Sequence, residues 1–365
     1  MGKKDRIEAL LMKGVRNGVY PGAVLLVAIK DEIVFFQEVG HRSLIPYDDP
    51  MKKDTIFDLA SLTKPLATTL AAMKLVNEGE LYLDQPLNDL MPGDLPNDKE
   101  DLTVRQLLSH CAGFADWKPL YLGLGDFGPE KRKTILRERL LNMPLAYAPG
   151  EVTLYSDLGF MVLEWIIEQK SGIPMHLFLD RHYFSPLLLK KTFLNSKSLK
   201  DQIKEDQFAA TEDCPWRGRI MRGSVHDENA HIVGGYSGHA GLFGTAEEVY
   251  ALVDLLRKHF RSESQEYLRP ETVRTFFTRQ NLVDGSTWAL GWDTPSLQNS
   301  SSGKYFSKKS VGHLGFTGTS VWMDLERNVV VVFLTNRIHP TRDNERIKSF
   351  RPRLHDLIME ELGIL

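Results

Sequence analysis

Ser61 and Lys64 stand in the run Ser61-Leu62-Thr63-Lys64, at the head of a stretch with helical spacing, so the two side chains fall one turn apart on one face. A serine hydroxyl is inert until a neighbour takes its proton, and a desolvated lysine at a helix start can be tuned to do so. The positive end of the helix also favours a developing anion. By itself the spacing decides little. With 21 Ser and 23 Lys in 365 residues it arises by chance about once, and it recurs at Ser301 and Lys304. The plain alternative for Ser61 is a helix N-cap.

Two further segments bring residues of matching chemistry. Tyr155-Ser156-Asp157 sits between Pro149-Gly150 and a helical run, and Gly312-His313-Leu314-Gly315-Phe316-Thr317-Gly318 precedes a strand. Three elements in this order, S-x-x-K, a Tyr or Ser motif and a K-T-G-like motif, are the signature of penicillin-recognising serine enzymes. The sequence resembles the class C β-lactamase and D-alanyl-peptidase superfamily of serine hydrolases. The resemblance is carried by Asp58 to Lys64, by Leu102-Thr103-Val104-Arg105-Gln106-Leu107-Leu108-Ser109-His110, by Pro149-Gly150 through Phe160, and by His313 to Gly318, so it spans nearly the whole chain. It implies an acyl-enzyme route in which Ser61 attacks, Lys64 and Tyr155 share the proton transfers, and the main-chain N–H groups of Ser61 and Phe316 hold the oxyanion, with Gly315 beside them in the substrate cleft. Such donors face developing charge in a closed cleft. No metal and no cofactor are expected.

Two positions depart from the family pattern. Asp157 stands where many relatives carry Asn, and an anion beside Lys64 favours the ammonium form. The expectation is a charged Lys64 and a Tyr155 phenol lowered by that cation to serve as the base, the alternative for Tyr155 being a core tyrosine. His313 stands where β-lactamases carry the lysine of K-T-G. It would supply charge to a substrate carboxylate only when protonated, or act as a neutral hydrogen-bond donor, and an activity limb between about pH 6 and 7 is expected from it. Efficient β-lactam hydrolysis is not expected.

Val225 to His231 and Gly234 to Gly241 are rich in polar and small residues. His226, Asp227, Glu228, His231 and His239 are of metal-ligand type but lack an H-E-x-x-H pattern, and Gly235 to His239 fails the nucleophile-elbow pattern. The segment is expected to line the substrate cleft, through His226 and His239, with a structural loop and a metal site as alternatives. Asn336 and Arg337 follow directly on the last strand. Relatives use this place to recognise a substrate carboxylate, and an arginine suits bidentate binding; the alternative is a surface loop. These segments resemble a subgroup tied to cell-wall peptide processing, which includes muramoyl-peptide amidases.

Placing these residues together requires a scaffold, and the chain offers an α/β (α+β) one. Ile7, Leu10, Leu11 and Val15 predict an opening helix before Gly18. Ala23 to Ile29 and Ile33 to Val39 predict a hairpin, as do Val321 to Leu325 and Val329 to Leu334, and a helix from about Pro352 to Leu362 follows. Between the ends the spacing turns helical over Pro65 to Glu78, Val104 to Cys111, Lys131 to Asn142 and Leu158 to Lys170. A helix over Ala246 to Phe260 opens with Thr245 and Glu248 at capping-box spacing. Gln298 to Gly303 reads as a surface loop. The fold implied by the resemblance agrees: a β-lactamase/penicillin-binding-protein-like fold, with a central antiparallel sheet built from both chain ends and flanked by helices, beside a mostly helical domain. One catalytic unit over 1–365 is expected, its α/β part from 1–60 and 240–365 and its helical part from 61–239, with a cleft between.

Composition removes other classes. A 365-residue chain with 42% hydrophobic and 25% charged residues can bury a sizeable core, which excludes disorder as the main state. The net charge of -3, without a block of like charges, argues against nucleic acid as a partner. Two cysteines, Cys111 and Cys214, form no zinc spacing. No export signal or membrane-length apolar run is visible, so a cytoplasmic protein without a membrane partner is expected. The expected partner is a small molecule or short peptide such as a cell-wall fragment, acted on at an amide or ester. The other readings are a class C-type β-lactamase, a small-ester carboxylesterase, or a non-catalytic binding module of the same fold. Oligomeric state has no sequence signal.

Overall fold

β-Branched and aromatic residues concentrate near both chain ends, and there they build one sheet. The computed structural model describes residues 3–91, 93, 95–194 and 203–364. Helix α1 (Lys3–Arg16) leads into strands β1 (Gly22–Ile29), β2 (Glu32–Ser43), β3 (Asp49–Pro50) and the short β4 (Phe57–Asp58). The middle of the chain carries α2 (Thr69–Glu78), α3 (Val104–Leu108), α4 (Pro129–Asn142), α5 (Asp157–Ser171) and α6 (Met175–Leu179). Short strands β5 (Phe193–Leu194), β6 (Asp213–Cys214) and β7 (Arg219–Ile220) precede α7 (Glu228–Ile232), β8 (Leu242–Gly244), α8 (Ala246–Phe260) and α9 (Pro270–Phe277). The chain closes with β9 (Ser310–Leu314), β10 (Ser320–Asp324), β11 (Val329–Thr335) and α10 (Ile347–Leu362).

The six-stranded sheet has the order β3-β2-β1-β11-β10-β9 and is antiparallel throughout, with Leu25 opposite Phe333 where the two chain ends meet. Alternation along β1 explains its unbroken apolar sequence. Val24, Leu26 and Ala28 enter one core with residues of α2, α5 and α8, while Ala23, Leu25 and Val27 enter another with residues of α1 and α10. Each buried Val or Leu contributes about 1.5–3 kcal/mol, so helices on both faces make these the anchoring strands. A second, three-stranded sheet, β4-β8-β5, stands beside the first and carries the chain toward Ser61.

Both predicted hairpins form. The terminal helix begins at Ile347, five residues before the proline expected to open it, because buried Ile347 and Phe350 pack its first turns on the sheet. At α8, Thr245 accepts the Glu248 N–H, but the Glu248 carboxylate accepts from the main-chain N–H groups of Lys190 and Lys191 instead of closing a capping box. The 298–303 segment is a loop, yet Ser300 and Ser302 are buried, and the Ser301 carbonyl accepts His355 Nδ1 from α10. Lys304 is exposed, so the second S-x-x-K spacing has no site around it. Among the described residues no helix is long and apolar enough to cross a membrane.

Candidate active site

Ser61 is presented by a constrained turn. Ala60, just before it, holds φ +47, a left-handed conformation that costs about 1–3 kcal/mol for a residue with a side chain. Asp58 offsets that cost: Oδ1 accepts the Ala60 N–H (2.9 Å), Oδ2 accepts the His226 N–H (2.7 Å), and its carbonyl accepts Thr317 Oγ1 (2.7 Å). Burial raises the Asp58 pKa despite these bonds. A 3-10 turn over Ala60–Leu62 and a π-helical turn over Lys64–Thr68 then lead into α2. A π turn at this place is a common functional-site irregularity. The β9–β10 turn closes over the same loop. A Cβ on Gly315 would lie 2.6 Å from the Leu59 carbonyl, so glycine is what permits this approach.

Lys64 is fully buried. Its Nζ donates to Ser61 Oγ (3.0 Å), to Asp157 Oδ1 (2.6 Å) and to the His239 carbonyl (3.4 Å), and it lies 4.6 Å from the centre of the Tyr155 ring. Burial alone would lower the Lys64 pKa; the Asp157 carboxylate and then Tyr155 together outweigh this and raise it, as expected for a held ammonium. The expected lowering of the Tyr155 phenol is overturned. Burial raises the phenol and the Asp157 charge adds to it, and together these outweigh Lys64, whose charge and hydrogen bonding favour the phenolate. Tyr155 and Asp157 are placed by the start of α5, where Ser156 caps the helix by accepting the Gly159 N–H (3.2 Å) and donates to the Ala115 carbonyl (2.6 Å).

His313 also differs from expectation. Burial and then Lys64 push it down to about 3, so it is neutral at pH 6–7 and no limb there belongs to it. Nor does it offer a donor to the cleft. Nδ1 donates to the Leu314 carbonyl (2.8 Å), which leaves Nε2 as a lone-pair acceptor, buried and unpartnered among the described residues. Asp293, on the same cleft wall, is raised by burial to about 6.

His226 and His239 line the same cavity as Ser61. His226 stacks against Phe316 (5.7 Å) and pairs with Glu212. His239 Nε2 bonds Asp227 Oδ1 (2.8 Å); burial lowers its pKa, but Asp227 prevails and raises it. Asp157, Asp227 and His239 bring potential metal-ligand atoms within 4.8 Å of one another. The Lys64 ammonium and the His239 ring nitrogen already pair with those two carboxylates, a poor setting for a further cation.

Asn336 does not reach the cleft. It is buried as a staple, accepting the Gly22 N–H (3.0 Å) and donating to the Arg42 carbonyl (3.1 Å), because the end of β11 must be tied to β1 and β2. Arg337 does line the cavity and is buried, not a surface loop residue. Its Nε donates to the Phe316 carbonyl (2.9 Å) and its Nη1 to those of Arg342 and Asn344, so a two-pronged grip on a carboxylate is already spent on main chain.

The cavity, of about 690 Å³, brings together Ser61, Tyr155, Asp157, His313, Gly315 and Phe316. Sequence reasoning missed Asp58, Trp288 and Arg351 as parts of this site. Asp58 stood three residues before the serine and carried a readable signal. Trp288 and Arg351 stand outside any motif, and only the fold brings them here.

A family model described as Beta-lactamase matches residues 6–351. The N-acetylmuramyl-L-alanine amidase of Bacillus subtilis (strain 168) is 32% identical over 376 residues, covering 94% of this chain and 83% of the amidase. A protein of Escherichia coli (strain K12) provisionally named D-alanyl-D-alanine carboxypeptidase is 32% identical over 359 residues, with 90% and 81% covered. Among solved structures, the hydrolase EstCE1, described as having promiscuous acyltransferase activity, superposes with a TM-score of 0.76 at 22% identity, covering 98% of each chain. A penicillin-binding protein homologue from Pyrococcus abyssi superposes at 0.73 and 21% identity, over 98% of this chain and 77% of that one. At those identities the structural likenesses speak to the fold.

Proposed function

The chain belongs to the Beta-lactamase family and is a serine hydrolase, and from that premise we propose that it cleaves an amide or ester through an acyl-Ser61 intermediate, on a peptidoglycan-derived peptide or muropeptide. The observation that carries the chemistry is the Lys64 Nζ contact to Ser61 Oγ at 3.0 Å, made from an ammonium pinned at 2.6 Å by Asp157 under the Tyr155 ring. A phenol and an ammonium that both keep their protons cannot accept another. The working base is therefore the Tyr155–Lys64 pair after loss of one proton, a coupled site in which Asp157 favours phenolate over neutral amine. That pair takes the Ser61 proton as Oγ bonds the carbonyl carbon, and the N–H groups of Ser61 and Phe316 receive the oxyanion. The proton returns to the leaving group as its bond breaks. Water then repeats the sequence on the acyl-enzyme, giving up its proton to the pair, and the pair reprotonates Oγ.

The substrate class is supported by the relatives named for muramyl-peptide and D-alanyl-peptide cleavage and by the charge of the cleft. Arg337 and Arg351 are buried on its wall and form no ion pair among the described residues; Arg337 is committed to main-chain carbonyls, whereas Arg351, within α10, has its Nε without a partner there. Unpaired buried guanidiniums are costly and suit a substrate that brings its own carboxylates, as these peptides do. Incubation with a muramyl-L-alanyl peptide and with a peptide ending in D-Ala-D-Ala, followed by mass analysis of products, tests this. Release of the peptide from the sugar or of D-Ala, absent in Ser61→Ala, is expected; cleavage of neither, by protein whose Ser61 reacts with a fluorophosphonate, refutes the substrate class alone.

A further inference from the structure

Taking Tyr155 as part of the proton-transfer pair of that acyl-Ser61 route, we propose that His110, which lies outside the reacting cavity, is the positioning residue that fixes it, by holding the main chain on both sides of Tyr155 at once. The segment is gripped at two points by one residue. The His110 carbonyl accepts the Leu154 N–H (3.0 Å), and His110 Nδ1 accepts the Ser156 N–H (3.0 Å). The same carbonyl accepts Tyr147 Oη (3.2 Å), which holds the grip itself in place. Between the two points the imidazole packs on the Tyr155 ring at 4.8 Å, on Phe160 at 5.1 Å and edgewise on Trp288 at 4.3 Å.

Three features separate this from ordinary core packing. His110 holds φ +58, a conformation disfavoured for a side chain of this size and tolerated where the surroundings over-determine it. Its tautomer is set by its role, since accepting the Ser156 N–H requires a lone pair at Nδ1 and puts the ring proton on Nε2. That Nε2 is buried and has no partner among the described residues. A residue chosen for packing would be apolar; one retained with an unpartnered polar edge is retained for its other nitrogen. Burial, then Lys64 and His313, lower its pKa well below the ordinary histidine value, which keeps Nδ1 an acceptor. Displacement of a proton-transfer group by about 1 Å can cost about 100-fold in rate.

The test is the rate at which a fluorophosphonate labels the protein, followed by intact mass and resolved into kinact and KI, for wild type, His110→Phe, His110→Asn and His110→Gln, with melting temperatures recorded alongside. Phe keeps ring packing but leaves the Ser156 N–H unmet. Asn offers an oxygen near the Nδ1 position and tolerates left-handed backbone, whereas the Gln oxygen reaches toward the Nε2 position. The expected result is a kinact lower by about 100-fold in His110→Phe and restored to within about tenfold in His110→Asn, with KI changed less than about threefold in both. If His110→Phe does not fold, the same split is expected between Asn (fast) and Gln (slow). Equal kinact across folded variants, or Asn as slow as Phe or Gln, overturns the proposal. Wild type that does not label at Ser61 overturns the acyl-serine reading and this proposal with it.

Discussion

At the scale of single residues, the site is governed by which groups keep their protons. Asp157 holds Lys64 as an ammonium, and burial with Asp157 holds Tyr155 as a phenol. The reactive form of the pair, one proton short, is thus a minority at neutral pH. The rate of Ser61 acylation should rise with pH from 6 to 9 with near unit slope, with no limb from His313. Asp157→Asn removes the charge that raises both pKa values, so the rise should move to lower pH by about one unit or more; a profile that stays in place or moves up contradicts the assignment. Tyr155→Phe should lower the acylation rate by about 10²–10⁴-fold, and a loss below tenfold would exclude Tyr155 from the pair. Residue types and the charge on Lys64 were legible in the sequence; the protonation states of Tyr155 and His313 were not. His313 was readable as a histidine in a lysine's place, but its tautomer depends on the Leu314 carbonyl and its pKa on burial, neither of which leaves a trace in residue order.

At the scale of elements, the cleft depends on how closely the β9–β10 turn approaches the Ser61 loop. Gly315 donates to the Thr319 carbonyl (2.7 Å), and a Cβ there would fall 2.0 Å from Thr319 Oγ1 as well as against Leu59. Gly315→Ala should move Phe316 away from Ser61 and lower acylation by at least about tenfold in protein that still melts cooperatively. Wild-type kinetics in that variant would show that the turn has room to spare. The hairpins and the long helices were legible because their apolar periods are clean. Less regular features were not: the π turn after Ser61 has the same apolar spacing as an α-helix, and the two-residue strands β4 and β5 are too short for a period. Asn336 shows the limit of position-based reasoning, since standing at a cleft-bordering strand end did not decide which way its amide faces.

At the scale of the whole molecule, buried neutral histidines couple stability to pH. His355, on the buried face of α10, is pushed down to about 3 by burial and then by Arg351, and His313 is lowered to about the same value. A histidine whose folded pKa is depressed contributes stability that is complete above its unfolded value near 6.5 and is lost as pH falls toward 3, because the unfolded chain binds the proton first. His239 acts in the opposite sense, its raised pKa favouring the fold until pH climbs through the folded value. Unfolding free energy measured in urea should fall from pH 6.5 to 4, and His355→Gln should reduce that slope by up to about 1.4 kcal/mol per pH unit; an unchanged slope would place the His355 proton elsewhere. The architecture at this scale was largely legible, because strand-rich ends around a helical middle admit few pairings. Which loops then meet across the cleft was not: Asp157 and His239 converge on Lys64 from distant segments.

The most direct measurement is the mass and position of the adduct formed when the protein is treated with a fluorophosphonate, compared among wild type, Ser61→Ala and Lys64→Ala. A single adduct mapped to Ser61, absent in Ser61→Ala and strongly slowed in Lys64→Ala, is the predicted result. An adduct that persists in Ser61→Ala, or no adduct in folded wild type, would contradict the acyl-serine account.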